Sequence, residues 1–239
     1  MQFYPEGATV PQGLTAEEFK LRPLRESDAE IDYAALMDSK SMLRLMSQSG
    51  WPEDDFTIEK NRKDLREHEK EHDEGTAFTY TVLDPTESTC LGCVYIEHLK
   101  EGPMKGDYVA MLRFWVRQSH LDRDLDRLLL KHLIDWFKDE WAFSRVIFSV
   151  ADADKRQVQL ATESSLQLVH AYGNKWSEFL LYYKIEEGGG LSPTFRFHSN
   201  LTLSFQFTKN RFLSLFHCSI LLFAQTCRLF SDIIEQIFS

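Results

Sequence analysis

The sequence predicts a mixed α/β (α+β) domain with one central sheet flanked by helices, followed by an atypical C-terminal extension. Three observations carry this reading. Runs with strand alternation and runs with helical spacing follow one another along most of the chain. Hydrophobic residues make up 43% and charged residues 27% of the 239 positions, a balance that buries a real core. After Gly188-Gly189-Gly190 the composition changes abruptly.

The elements read as follows. Phe19 to Leu24 alternates apolar and polar, as a half-buried strand does. Ser27 and Asp28 offer an N-cap for a helix carrying Ile31, Ala34, Ala35 and Met37. Residues 50–55 form a loop, and Thr57 caps a charged helix running to about His72. Phe78–Leu83 and Leu91–Leu99 are β-rich runs separated by Asp84-Pro85, which suggests a hairpin. Tyr108–Val116 is a third strand. Leu121, Leu125, Leu128, Leu129, Leu133 and Phe137 form a helical stripe. Val146–Val150 is a short buried strand, 155–165 a helix, and Leu166–Val169 and Phe179–Tyr183 close the order. No internal repeat is visible.

Net charge is −10 with pI near 5.3. A protein that binds nucleic acid by neutralising phosphates is ordinarily basic, so that class is not expected. Four cysteines are too few for a disulfide scaffold. The stretch MQFYPEGATVPQG is polar and Pro/Gly-rich, so no signal peptide is expected and the default is a reduced, cytoplasmic protein. The predicted domains are residues 1–190 and a Phe-rich extension, 191–239. The extension is net +2, leaving −12 for the rest, and holds nine of the 18 Phe. Its 16 uncharged residues from Phe212 to Cys227 fall short of the roughly 20 that span a bilayer, so a membrane anchor is not favoured. A docking helix and a poorly selected extension are the other readings, the second resting on missing caps and periodicity.

Two short motifs carry little. His68-Glu69-Lys70-Glu71-His72 matches H-E-x-x-H. Its helix is almost wholly charged and no third ligand is evident, so it reads as a solvated face without metal. Cys90-Leu91-Gly92-Cys93 lies at the start of an apolar strand, without a second pair at metal spacing. Buried or edge-strand thiols are the expectation. No G-x-S-x-G, G-x-x-x-x-G-K or G-x-G-x-x-G occurs.

The informative segment is Arg113 to Leu130, where a strand feeds through a short turn into an amphipathic helix. Unpaired amides and the positive dipole end at such a junction suit a phosphate, although an ordinary β-α turn has the same form. With FKLRPLRESD near the start, RFWVRQS before the turn and Ala153-Asp154-Lys155-Arg156-Gln157 through Leu168 later, about residues 17–185 resemble the GNAT (GCN5-related) acyl-CoA N-acyltransferase superfamily. AFTYTVLDP, CLGCVYI and FWVR are similar to phrases of an uncharacterised divergent branch.

The resemblance implies a GNAT-like fold and acetyl-CoA as co-substrate, with no metal. It implies pantetheine beside Phe114, Trp115 and Val116, and pyrophosphate on the turn of Asp122 to Arg127, which includes Arg123, Asp124, Leu125 and Asp126. Arg117, Arg123 and Arg127 supply positive charge there. Asp154 belongs to the second cofactor-side motif, where asparagine is usual. Leu121, Asp124 and Asp126 stand where the family pattern is Gln/Arg-x-x-Gly-x-Gly/Ala. Ala161 replaces a frequent tyrosine acid, and Ala110 lies where some members carry a base glutamate. By elimination Glu97 and Asp107 are the candidate bases, with Tyr182 and Tyr183 as candidate acids for the leaving thiolate. The loop of Trp51, Asp54, Asp55 and Phe56 is expected to border the acceptor, its acids suiting a cationic amine, while a solvated turn explains them equally. The implied function is acetyl transfer to an unidentified amine. A catalytically inactive GNAT-fold binding or regulatory protein is the alternative, and self-association into a homodimer is left open.

Overall fold

A computed structural model describes residues 1–172 and 175–183, without the side chains of Tyr172, Tyr182 and Tyr183. The predicted extension, 191–239, and the joint at Gly188–Gly190 lie outside the described residues. The elements are β1 (Leu14–Thr15), β2 (Lys20–Pro23), α1 (Ala29–Asp38), α2 (Lys40–Ser47), α3 (Ile58–Glu74), β3 (Phe78–Leu83), β4 (Cys90–His98), β5 (Val109–Val116), α4 (Leu125–Asp139), β6 (Arg145–Ala151), α5 (Lys155–Glu163), β7 (Gln167–Tyr172) and β8 (Trp176–Tyr183). The strands form one sheet in the order β1-β2-β3-β4-β5-β6-β8-β7. Every pair is antiparallel except β5 with β6. Among the described residues no helix is long and apolar enough to cross a membrane.

Local chemistry explains most boundaries. Thr57 Oγ1 accepts from Lys60 N at the start of α3, and the helix stops at Gly75, whose φ of 69° accepts the left-handed turn that a side chain resists. In the β3–β4 turn, the Asp84 carboxylate accepts from the backbone amides of Thr86, Ser88 and Thr89. Those donors, with the Thr86 hydroxyl foremost, hold Asp84 down to about 2.

Several expectations need correction. Asp28 does not cap α1. It closes a 3-10 turn at Glu26–Asp28, accepting from Arg25 N and pairing with Arg22. The segment after Asp38 makes its own helix, α2, which the sequence reading left out although Leu43 buries fully. Leu121 lies in a 3-10 turn, Gln118–Arg123, ahead of α4. Of the two settings expected for the CxxC thiols, the buried one holds: Cys90 and Cys93 are buried on the central strand β4.

The sheet carries a core on each face. On one, Val94, Ile96, Ala110, Leu112, Phe114, Phe148 and Val150 meet Leu129, Leu133 and Phe137 of α4 and Leu160 of α5. On the other, Cys90, Cys93 and Trp115 meet Ala35, Leu36 and Leu65 of α1 and α3. The alternation of Val94/Ile96 against Cys93/Tyr95 along β4 sets which residues go to which face.

The His-Glu-Lys-Glu-His segment is not a uniformly solvated face. His72 is buried, with its ring edge-on to Phe78 and Tyr80, because α3 turns that position inward with Asn61 and Leu65. Burial, and then the charge of Arg25, push the His72 imidazole below its ordinary value. The unfolded chain binds this proton more readily, so stability is expected to fall as pH drops below about 6.5. A His72→Leu variant should flatten that limb of a melting-temperature profile; an unchanged slope would assign it to other groups.

Candidate functional site

The site begins as an interruption in the sheet. The parallel ladder of β5 and β6 runs from Val109/Arg145 to Leu112/Phe148 and stops there. Both strands continue, β5 to Val116 and β6 to Ala151, so they diverge into an open wedge. Arg117 N donates to Leu91 O at 2.7 Å. Hydrogen-bonding direction alternates along a strand, so the odd-numbered residues of β5 face β4 and the peptide groups of Phe114 and Val116 face the wedge. Trp115 is turned away: its side chain is buried on the other face, with Nε1 donating to Tyr95. Gln157 reaches into the wedge from α5 and donates Nε2 to Phe114 O at 2.7 Å. Phe114 and Phe148 stack across its base with ring centroids 5.2 Å apart.

At its open end the wedge meets the N-terminus of α4. Asp124, just before the helix, has φ of 53°. Aspartate is among the few residues that tolerate the left-handed region, so it takes up a conformation that glycine would otherwise supply. Asp126 is buried and accepts from Arg156 Nε at 2.6 Å and from the same guanidinium's terminal nitrogen at 2.8 Å. Arg156 also donates to Leu121 O and to Asp124. Two of the aspartates of the turn, Asp124 and Asp126, are therefore partly compensated by one arginine from α5. Arg127 pairs with Glu163. Arg117 donates to Asp38, as does Ser119, which ties the turn to the end of α1.

Two clefts flank this junction. The first, about 380 Å³, lies between α2 and the start of α5; Val116, Gln118, Leu121, Asp126 and Asp154 are among its walls. The second, about 530 Å³, is lined by Arg123, Asp124, Arg127, Leu128, Lys131 and Ser164. Asp154 caps α5, accepting from Gln157 N at 3.0 Å. Burial pushes its carboxyl up, against the pull of that hydrogen bond. Of the acids lining the first cleft, Asp126 is committed to Arg156, which leaves Asp154 as the carboxylate available to a ligand there.

The structure separates the other candidates. Glu97 pairs with Arg113 across β4 and β5 and lines neither cleft. Asp107 precedes β5 and accepts from Gln2 N at 2.7 Å. It lies at the end of β5 opposite the wedge, before the stretch Val109–Leu112 that is paired with β6. The backbone of Tyr182 pairs with Val146, far from the wedge end of β6, and the side chains of Tyr182 and Tyr183 lie outside the described part. Asp54 pairs with Lys40 and Arg44, which hold it down to about 2. Asp55 pairs with Lys60. Phe56 is buried against Tyr33 and Trp51. These four loop residues line neither cleft, and the two acids already have cations of their own.

The sequence places Arg156 and Gln157 in the second cofactor-side stretch but singles out neither, nor Gln118 in the cleft wall. Asp154-x-x-Gln157 has the spacing of a helix N-cap, a signal that marks the start of α5. Arg156 and Asp126, thirty positions apart, carry no local signal of their pairing.

Comparison with known proteins adds the following. Residues 18–165 match the family model described as the acetyltransferase (GNAT) domain. No curated protein matches significantly. The ribosomal-protein-S5-alanine acetyltransferase from Vibrio fischeri has a similar structure, with TM-score 0.53 and 16% identity over 70% of this chain and 93% of that one. The ribosomal L7/L12 alpha-N-protein acetyltransferase RimL gives 0.54 and 14% over 74% and 96%. The microcin C7 self-immunity acetyltransferase MccE, solved in complex with acetyl-CoA and AMP, gives 0.57 and 14% over 72% and 96%. At these identities the likeness is one of fold.

Proposed function

The chain belongs to the GNAT acetyltransferase family, and from that premise we propose that it moves an acetyl group from acetyl-CoA, bound in the β5–β6 wedge, to an amine acceptor entering through the cleft beside α2. The observation that carries the reading is the ladder that ends at Leu112/Phe148 while both strands run on. It leaves peptide groups of β5, apart from the Phe114 carbonyl that Gln157 occupies, available to an extended amide-bearing ligand. The residues fit such a ligand. The wedge opens onto the amides that begin α4, and Arg123, Arg127 and Lys131 surround the adjoining cleft where phosphates would need charge. Arg156 offsets part of the negative charge by which Asp124 and Asp126 would repel a pyrophosphate.

Acetyl-CoA supplies an activated thioester. The chain supplies the rest. Phe114 and Val116 orient the ligand, the Val116 amide is a hydrogen-bond donor for developing negative charge on the carbonyl oxygen, and Asp154 takes the proton from the amine; the C–N bond forms as the thioester C–S bond breaks, and CoA leaves as the thiolate, to be protonated from solvent. Met42, Leu45 and Leu121 give the acceptor side apolar walls.

Calorimetry with CoA tests the binding half. Arg123→Ala with Arg127→Ala is expected to weaken CoA roughly tenfold and to reduce the salt dependence of binding. Equal affinities in the two proteins would sink the phosphate assignment. An amine panel with a free-thiol readout tests the transfer half. Tight CoA binding with no transfer to any amine would favour a binding or regulatory role.

A further inference from the structure

We propose that Asp32, Cys90 and Cys93 form a buried binding site for zinc, on the sheet face opposite α4 and α5. Cys90 and Cys93 are three residues apart on β4, and in a regular strand they would point to opposite faces. The β3–β4 register prevents this. Val82 lies opposite Gly92 and Leu83 opposite Cys90, so Leu91 is an extra, bulged residue. Leu91 accordingly packs into the α4 core, while both cysteines pack with α1 and α3.

Asp32 meets them from α1. Its Oδ1 lies 3.4 Å from Cys93 Sγ and 3.9 Å from Cys90 Sγ, and the three donor atoms lie within 4.8 Å of one another. Sulfur at about 2.3 Å and oxygen at about 2.0 Å from a tetrahedral zinc stand roughly 3.5–3.8 Å apart. All three residues are at most 3% exposed.

Outer partners hold the donors. Asn61, itself buried, donates Nδ2 to Asp32 Oδ2 at 3.0 Å and to Ala29 O at 3.1 Å. Thr81 Oγ1 donates to Cys90 Sγ at 3.7 Å. Such partners orient metal ligands and complete their hydrogen bonding. Among the described residues no lysine or arginine pairs with Asp32, and buried carboxylates are ordinarily paired or metal-bound. Thiolates favour a soft cation, and three protein donors plus a water is a coordination that zinc uses. A metal here would fasten α1 to β4, and the far end of α1 holds the site turn through Asp38.

The test uses the full chain, purified without metal under a non-thiol reductant. About one equivalent of zinc should bind, and the melting temperature should rise with zinc concentration. Cobalt in its place should give a thiolate charge-transfer band. Cys90→Ser with Cys93→Ser should abolish the band, and Asp32→Asn, which keeps shape while removing the charge, should weaken zinc at least about tenfold. His68→Gln should leave the band unchanged, separating this site from the histidine pair on α3. A folded wild-type protein with no band and no zinc-dependent melting shift overturns the proposal. So does a band that survives the double cysteine variant.

Discussion

Replacing Asp154 by asparagine is expected to lower kcat by roughly 10²–10⁴-fold, the range for loss of a positioned general base. Asp154 is buried at the mouth of the wedge and lines the same cleft as Val116. Burial raises its carboxyl above the ordinary carboxylate value, with Asp126 adding to the shift, which is the direction that suits a base. It accepts a proton only when ionised, so wild-type activity should rise with pH through that raised value and then level. The asparagine variant should lose this acidic limb. Asparagine caps a helix as well as aspartate does, so the cap on Gln157 N is retained and the melting temperature should barely move. That separates chemistry from folding, which Asp154→Ala would not. An asparagine variant within about twofold of wild type from about pH 6 to about pH 9 would remove Asp154 from the mechanism. A large loss in Glu97→Gln instead would move the role to Glu97, which would first have to leave Arg113.

Gly92→Ala is expected to be the most destabilising single methyl in the described chain. Gly92 has φ of +153°, and a Cβ there would stand 2.0 Å from the carbonyl oxygen of Trp115 and 3.0 Å from Val116 Cα. Neither neighbour is a flexible side-chain end. Relief requires parting β4 from β5, the centre of the sheet. Backbone strain plus lost pairing should cost about 3–5 kcal/mol. For a chain of this size each kcal/mol lowers the melting temperature by roughly 2–4 °C. Gly50→Ala is the control, because nothing lies within 4 Å of its Cβ and its φ is ordinary; it should stay within about 0.5 kcal/mol. Similar melting temperatures for the two variants would mean that the β4 bulge yields more easily than its geometry implies.

Local patterns in the sequence determined the strand Phe78–Leu83, the strands expected at Leu91–Leu99 and Tyr108–Val116 and found at Cys90–His98 and Val109–Val116, the charged helix begun at Thr57, and the strand-turn-helix within Arg113 to Leu130. Each rests on interactions between near neighbours: alternation, a side-chain cap, an apolar stripe. The resemblance to the GNAT family was legible in the same stretches, which the matched residues 18–165 include. Tertiary structure alone decided the rest. Glu97 and Asp154 are both acids at element ends, and only the sheet order shows that one answers Arg113 while the other lines a cleft. Asp124 and Asp126 read as misplaced charge until Arg156 arrives from α5 to pair with both and offset part of it. His72 looked solvated because its neighbours in sequence are charged, yet α3 turns it onto Phe78 and Tyr80. Cys90 and Cys93 share a face only because the pairing with β3 skips Leu91. In each case the deciding partner is distant along the chain, and burial, charge compensation and strand register are set by what packing brings across that distance.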